Sequence, residues 1–448
     1  MGRTLRTSTK ITPQPEKDAT TRALLVGFTL VLALCTSAWA ASEKVLYTFH
    51  MKDGGGGGNV TVAPNGYIYG TTAYGGSSKC SQCGVVFRLT SDENGIWKET
   101  VLHGFSGPDG RAPLSLVLDK AGNLYGTTVN GGPMNQCSNE GCGLVFELER
   151  RPGGKWIYTV LHYFSVSDGA WPSGGLIFDS EGNLYGATSS GGNTSSCQGG
   201  CGVIFELTPG SNGQWTESVL YSFQGSDGEG PNAPLAFDSV GNIYGTTQHG
   251  GAHGSGTVFK LSLGTKGEWA EQILHSFNFD TADGYWPTSG LTFDVSGNLY
   301  GMTTFGGTKG EEGWGTAFRL TEAQGGKWQE TVLHRFDRNK PEGGLVSSGL
   351  LIDSSGNLYG TTAEGGKDKC AAGGGVGCGV LFELKPQTDD KWTEIVLHSF
   401  GNGNDGTFPG GVVSSDWSGH VFGVTEAGGY VGGPCAPDGC GVVYEIAP

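Results

Sequence analysis

Ten of the eleven cysteines fall into five close pairs: Cys80/Cys83, Cys137/Cys142, Cys197/Cys201, Cys370/Cys378 and Cys435/Cys440. Each pair sits just before an apolar run of the Gly-Val-Val-Phe type. Neighbouring thiols can ligate a metal, exchange disulfides or staple a loop. The first two need a fixed spacing, yet only Cys80/Cys83 is a C-x-x-C and the other pairs differ. An even number of cysteines locked to one place, behind an export-type N-terminus, reads as five loop-stapling disulfides.

The other polar candidates are filtered by recurrence, because a catalytic group is needed once. His103, His162, His275, His334 and His398 share one slot, which Tyr47 and Tyr221 fill elsewhere, so their expected role is structural. Asp109, Asp168, Asp227, Asp283 and Asp405 each precede a glycine, first of all a turn signal, with a cation-binding ring of carboxylates as the rival. His249 and His253 lie in a repeat without a cysteine pair but have no third ligand, so no metal site is assigned. Glu229, Glu311, Glu312 and Glu342 are not repeated, and a pair of such acids could work on a glycan. Nothing selects a pair, so no catalytic residue is assigned. No nucleophile elbow, phosphate loop or zinc-protease motif is present, and no cofactor is implied.

Aromatic residues carry the remaining chemistry. Trp171 and Trp286 precede Pro172 and Pro287, and Phe408 precedes Pro409, in connecting loops where other repeats have Ala112 and Ala233. Tyr74, Phe305 and Trp314 fall in a second class of loops. Exposed aromatics can stack on sugar rings or anchor a protein partner. Packing down onto a neighbouring repeat is the equal alternative. These six are the candidate ligand-binding residues.

The elements that must position them follow from one pattern, Tyr/Phe-Gly-x-Thr-x-x-Gly-Gly, beginning at Tyr69, Tyr125, Tyr185, Tyr244, Tyr300, Tyr359 and Phe422. Successive copies are 56, 60, 59, 56, 59 and 63 residues apart, which marks an array of one supersecondary unit. Within one copy, Gly175–Phe178, Leu184–Thr188, Gly202–Leu207 and Trp215–Phe223 read as four strands separated by turn residues, without helical periodicity. The prediction is an all-β, seven-bladed β-propeller of four-stranded antiparallel blades. The seventh repeat shows three strands, and Glu43–Phe49 matches the fourth-strand consensus, so the N-terminal strand is expected to close the last blade. The repeated threonines (Thr72, Thr128, Thr188, Thr247, Thr303, Thr362, Thr425) are expected to hydrogen-bond between blades. The repeated tryptophans (Trp97, Trp156, Trp215, Trp269, Trp328, Trp392) are expected to pack the outer strands.

Residues 1–40 read as a signal peptide: a basic stretch, the apolar run 23–34 and Ala38-Trp39-Ala40 as cleavage site. Leu34 before Cys35 departs from a lipoprotein signal. Residues 41–448 then form a single propeller. Its blades span 50–105, 106–164, 165–223, 224–277, 278–336, 337–400 and 401–448, the last with strand 43–49. A secreted, periplasmic or cell-surface location follows, with no membrane span in the mature chain. The net charge of −16 disfavours nucleic acid as a partner.

The block Gly-Asn-Leu-Tyr-Gly-Thr-Thr, Cys-Gly-Val-Val-Phe-Glu-Leu, Trp and Val-Leu-His-Ser-Phe resembles the bacterial GloVer (Gloeo/Verruco) tandem-repeat family of choice-of-anchor type, across Glu43 to Pro448. The resemblance implies an exported, surface-associated protein and no settled activity. The C-terminal sorting segment common in that family is not matched by Glu445-Ile446-Ala447-Pro448. Together these features favour a binding module for a glycan or another surface protein. A polysaccharide lyase or glycosidase at the channel mouth and a purely structural envelope protein are the alternatives.

Overall fold

The computed structural model describes residues 41–447 except 77–79, 136, 281, 309–312, 347, 368–369, 371–376, 402–403 and 417. The expected signal segment with Cys35, and Glu311 and Glu312, lie outside the described residues. The chain forms seven separate antiparallel sheets, one per repeat, with no α-helix among the described residues. In the third blade the order from the innermost strand outward is Ala170–Phe178, Leu184–Ser190, Val203–Pro209 and Trp215–Ser222. The strand Ser42–Thr48 pairs antiparallel with Val442–Ala447, supplying the fourth strand of the last blade and closing the ring.

The core lies between blades. Seven buried clusters each join two neighbours, one for every junction of the ring. At each junction a phenylalanine that follows strand four meets edge-on or tilted the strand-three aromatic of the next blade. Phe49–Phe87 at 5.2 Å, Phe164–Phe205 at 5.0 Å and Phe400–Tyr444 at 4.9 Å are examples. The glycine of the Tyr-Gly-x-Thr motif answers to the same ring, since a Cβ on Gly186 would lie 2.5 Å from Phe205 Cζ. The repeated tryptophans pack as expected, Trp215 against Tyr125 of the preceding blade at 5.9 Å.

Two expectations need correcting. The repeated threonines are fully buried but bond within their own blade: each donates its hydroxyl to the carbonyl two residues on, as Thr188 does to Ser190 at 2.8 Å. Across blades 3, 4, 5 and 7 the same oxygen accepts a strand-three N–H, such as that of Val203. The innermost strand also starts earlier than expected, so Trp171, Trp286 and Phe408 lie on it rather than in a connecting loop. The following proline suggested a loop, but the innermost strand is a sheet edge, where proline is tolerated.

Candidate functional site

The first residues of the inner strand create a seven-fold slot. Gly56, Ala112, Trp171, Gly230, Trp286, Leu345 and Phe408 all have φ between 51° and 67°. Each donates its N–H to a carbonyl of the preceding blade: Cys440, Cys83, Cys142, Cys201, Ser255, Trp314 and Cys378 respectively. The acceptor is the second cysteine in five junctions, so each disulfide anchors the loop that docks the next blade. The slot in blade four holds Gly230 rather than Ala233, because Pro231 pairs with Thr247 as Pro172 pairs with Thr188. The dipeptide Ala233-Pro234 imitates Ala112-Pro113 three residues out of register. Left-handed backbone at non-glycine residues costs on the order of 1–3 kcal/mol and persists because the docking bond and flanking strand fix it.

Beside this slot, the first strand-one residue faces the last strand-two residue across the sheet, and these pairs vary. Gly55 faces Tyr74, Arg111 faces Asn130, Glu229 faces His249, Tyr285 faces Phe305 and Gly344 faces Glu364. Tyr74 and Phe305 therefore end strands rather than occupy loops. At blades four and five the variable residues gather into one aromatic cluster. Tyr285 stacks on Phe305 at 5.6 Å and 20°, and Trp286 meets Phe305 edge-on at 5.4 Å and His249 at 5.1 Å. Phe279, 39% exposed, abuts Tyr285 at 5.2 Å. Tyr285, Phe279 and His249 were not singled out from the sequence as ligand-binding residues. The signal available was the closeness of Tyr285 and Phe279 to Trp286 in the chain, and the place of His249 in the variable pair.

The other candidates do not join this cluster. Trp314 lies under the Arg338 guanidinium, 3.5 Å from its centroid, and packs on the core between blades five and six. Arg338 in turn pairs with Glu364 at 2.9 Å. Tyr74 is 48% exposed and lies over Gly56. Trp171 and Phe408 are part-buried on the inner strands of blades three and seven.

The central channel is a cavity of about 170 Å³ lined by all seven blades, including Asn59, Ser115, Asn232, Thr288 and Ser348. Among the described residues none of its lining side chains titrates. A larger concavity of about 710 Å³ lies on the opposite face, among the short turns of blades one to three. Its one carboxylate, Asp119, is committed to its own turn, accepting from Ala121, from Asn123 and from the Tyr125 hydroxyl.

The repeated His/Tyr and Asp slots meet at each blade junction. His103–Asp109, His275–Asp283 and His398–Asp405 bond at 3.1 Å, and Tyr221 donates to Asp227 at 2.6 Å. Burial pushes Asp109 up, but hydrogen bonds from His103 and Ser106 outweigh it and hold the carboxyl at about 2. These aspartates are thus tied to strand four and do not form an open cation ring. His249 and His253 belong to no group of three ligand-type side chains among the described residues.

A third member of the junction escaped the sequence reading. The Glu two residues after the strand-four Trp (after Ala41 in the case of Glu43) points the same way and reaches the acid of the loop that leads into its own blade. Glu43, Glu99, Glu217, Glu271, Glu330 and Glu394 each bury one carboxyl oxygen without a hydrogen-bond partner. Burial, reinforced by the neighbouring acid, raises Glu99 (beside Asp53) and Glu271 (beside Asp227) to about 7. Burial also raises Glu217 and Glu330 to about 7; there the histidines His162 and His275 pull back while Asp168 and Asp283 add to the rise. In blade two Tyr158 takes the slot, stacking on His103 at 3.9 Å and donating to the Asp109 carbonyl. At the junction of blades five and six the acid is Glu342 rather than an aspartate, and His334 Nε2, like His162 Nε2, is buried without a hydrogen bond.

The five cysteine pairs form disulfides, with Cα–Cα distances of 5.1–5.5 Å. They fit an extracellular or periplasmic protein. No helix among the described residues is long and apolar enough to cross a membrane.

No curated protein sequence matches the chain. Among solved structures it is similar to the PQQ-bound aldose sugar dehydrogenase of Streptomyces coelicolor, with 14% identity and a TM-score of 0.40 over 91% of this chain and 98% of that one. It is similar to a putative oxidoreductase (glucose dehydrogenase) of Thermus thermophilus, with 13% identity and a TM-score of 0.43 over 91% and 100%. The periplasmic gluconolactonase of Pseudomonas aeruginosa shares 14% identity at a TM-score of 0.46 over 76% and 85%. At these identities and scores the likeness says nothing of activity. The Gloeobacter/Verrucomicrobia repeat matches residues 34–212 and 132–372, most of the chain. With seven copies of the motif built as seven blades, the protein belongs to the Gloeobacter/Verrucomicrobia repeat family.

Proposed function

We propose that this propeller is an exported binding module that takes a glycan on the aromatic cluster of blades four and five. The observation that carries the reading is the grouping of Tyr285, Trp286 and Phe305 with Phe279 and His249 on the variable face. Stacked and edge-on rings with an exposed margin offer flat apolar surface for the C–H face of a pyranose, flanked by polar His249 and Glu229. A protein partner would use the same anchors. Residues 1–40 act as the export signal, cleaved before Ala41, and the disulfides keep the docking loops closed outside the cytoplasm.

A channel without titratable lining disfavours a lyase or glycosidase centred there. The test is affinity electrophoresis of the chain from Ala41 in gels holding neutral or acidic polysaccharides, with reducing-end release measured on the same panel. Retardation without release supports the binding module. Release above a heat-killed control transfers the assignment to an enzyme, and neither effect across the panel leaves the structural envelope protein.

A further inference from the structure

We propose that the junction between blades five and six binds a divalent first-row cation through His334, Glu342 and Glu394. One ring nitrogen of His334 and one carboxylate oxygen from each glutamate all lie within 4.8 Å of one another. Metal bonds of about 2.1 Å require ligand atoms about 3–3.5 Å apart, so seating an ion needs only side-chain adjustment. The three ligands come from different segments: strand four of blade five, the connecting loop, and strand four of blade six. An ion there would tie two neighbouring blades together at their outer edge.

The comparison with other junctions separates this place from the repeat background. At three of them the histidine Nε2 is spent on an aspartate at 3.1 Å. Here His334 Nε2 and Glu394 Oε1 are both buried with no hydrogen-bond partner, while facing a second carboxylate. Two imidazole or carboxylate atoms left unpaired side by side are costly unless something lies between them. The related group His162, Asp168 and Glu217 also buries His162 Nε2 and Glu217 Oε1 without a hydrogen bond, but there Asp168 lies 3.3 Å from His162 Nε2 and accepts the Ser165 N–H at 2.7 Å and its hydroxyl at 3.0 Å.

The surroundings hold the loop without filling the site. Arg338 is engaged by Trp314 and Glu364. Lys340 reaches Glu342 Oε1 at 3.5 Å and Asp337 at 3.7 Å, but it is 60% exposed and free to swing away when an ion displaces it. One nitrogen and two carboxylate donors suit zinc or manganese better than calcium, and three protein ligands leave coordination positions for water.

The test is calorimetric titration of the full chain, stripped with chelator, with Zn²⁺ and separately with Mn²⁺, alongside thermal melting. The expected result is one saturable equivalent that raises the melting temperature. Glu342→Gln removes a carboxylate from a part-exposed loop, and its response to metal is read against its own metal-free melting temperature. It and His334→Gln should each weaken binding by at least the roughly 10–100-fold that loss of a mere supporting partner costs. Absence of a saturable equivalent in the unmodified chain overturns the proposal. So does an equivalent that survives Glu342→Gln, which would place the ion at His162 or elsewhere.

Discussion

The rings of Tyr285 and Phe305, directly opposite each other on the two innermost strands of blade five, stack at 5.6 Å with 20° between their planes. No other blade, among the described residues, places two aromatic residues in this variable pair. The stack supports Trp286 from one side while His249 meets it edge-on from blade four.

Glycan binding should therefore depend on this blade and not on every aromatic of the face. Trp286→Ala or Phe305→Ala should each cost about 1 kcal/mol or more of binding, roughly a fivefold to tenfold or greater loss. Trp171→Ala, remote from the cluster, should leave affinity unchanged. Affinity electrophoresis of the three variants on the retarding polysaccharide measures this. Equal losses in all three would place the ligand elsewhere on the ring.

The repeat motif makes a second, purely steric demand. Gly186 has an ordinary strand conformation, yet its missing Cβ is what admits Phe205, and an added methyl would sit 2.5 Å from that ring. Gly186→Ala should destabilise by about 1–3 kcal/mol through overpacking. Phe205→Leu in the same chain should recover part of the loss, giving a coupling of opposite sign in a urea-unfolding double-mutant cycle. Simple additivity would mean that the glycine serves some other purpose.

The sequence made this architecture legible because its spacing is enforced at every junction by the same contact. Tyr-Gly-x-Thr recurs because Phe205 and its counterparts fill the glycine, and Phe49 lay in the fourth-strand consensus because it packs on Phe87. What stayed hidden was direction and partnership. Pro172 and Pro287 suggested loops, although the strand they occupy is an edge. The threonine slot was visible, but its choice of the i+2 carbonyl over a neighbouring blade is a matter of rotamer. The recurrence filter that rightly gave His103 and His275 a structural role also concealed His334, whose loop offers Glu342 where the others offer aspartate. The platform was half visible: Trp286 and Phe305 stand out as large non-repeated aromatics, whereas Tyr285 joins them only because of strand register.

The buried strand-four glutamates give stability an unusual pH dependence. Glu99, Glu217, Glu271 and Glu330 are raised from the ordinary 4.5 to about 7 in the fold. The folded state thus holds protons that the unfolded state has released across that interval, and stability falls as pH rises from about 4.5 to about 7. Asp109 works oppositely: lowered to about 2, it adds stability as pH rises through about 2 to 4. The melting temperature should peak near about pH 4–5 and decline toward about pH 8. Glu271, which faces Asp227 and Tyr221, offers the cleanest check. Glu271→Gln should raise the melting temperature at about pH 8, have little effect at about pH 4.5, and flatten the slope between them. A variant with the parent's slope would remove this glutamate as a source of the dependence.

Closure of the ring rests on residues far from the seventh repeat in sequence. Ser42–Thr48 completes the last blade, Leu46 and Phe49 are buried in the core between blades seven and one, and Tyr47 donates to Asp53 at 2.7 Å. Deleting residues 41–49 would remove these contacts together and bare the edge of Val442–Ala447. The loss should exceed the roughly 3–5 kcal/mol expected for Phe49→Ala alone. The exposed strand should also recruit a second chain, since an unpaired edge is a template for further pairing. Urea unfolding of Phe49→Ala and of the deletion, with size-exclusion chromatography of the deletion, tests the two parts. A monomeric deletion with the parent's unfolding midpoint would mean that the interblade clusters hold the ring closed without this strand.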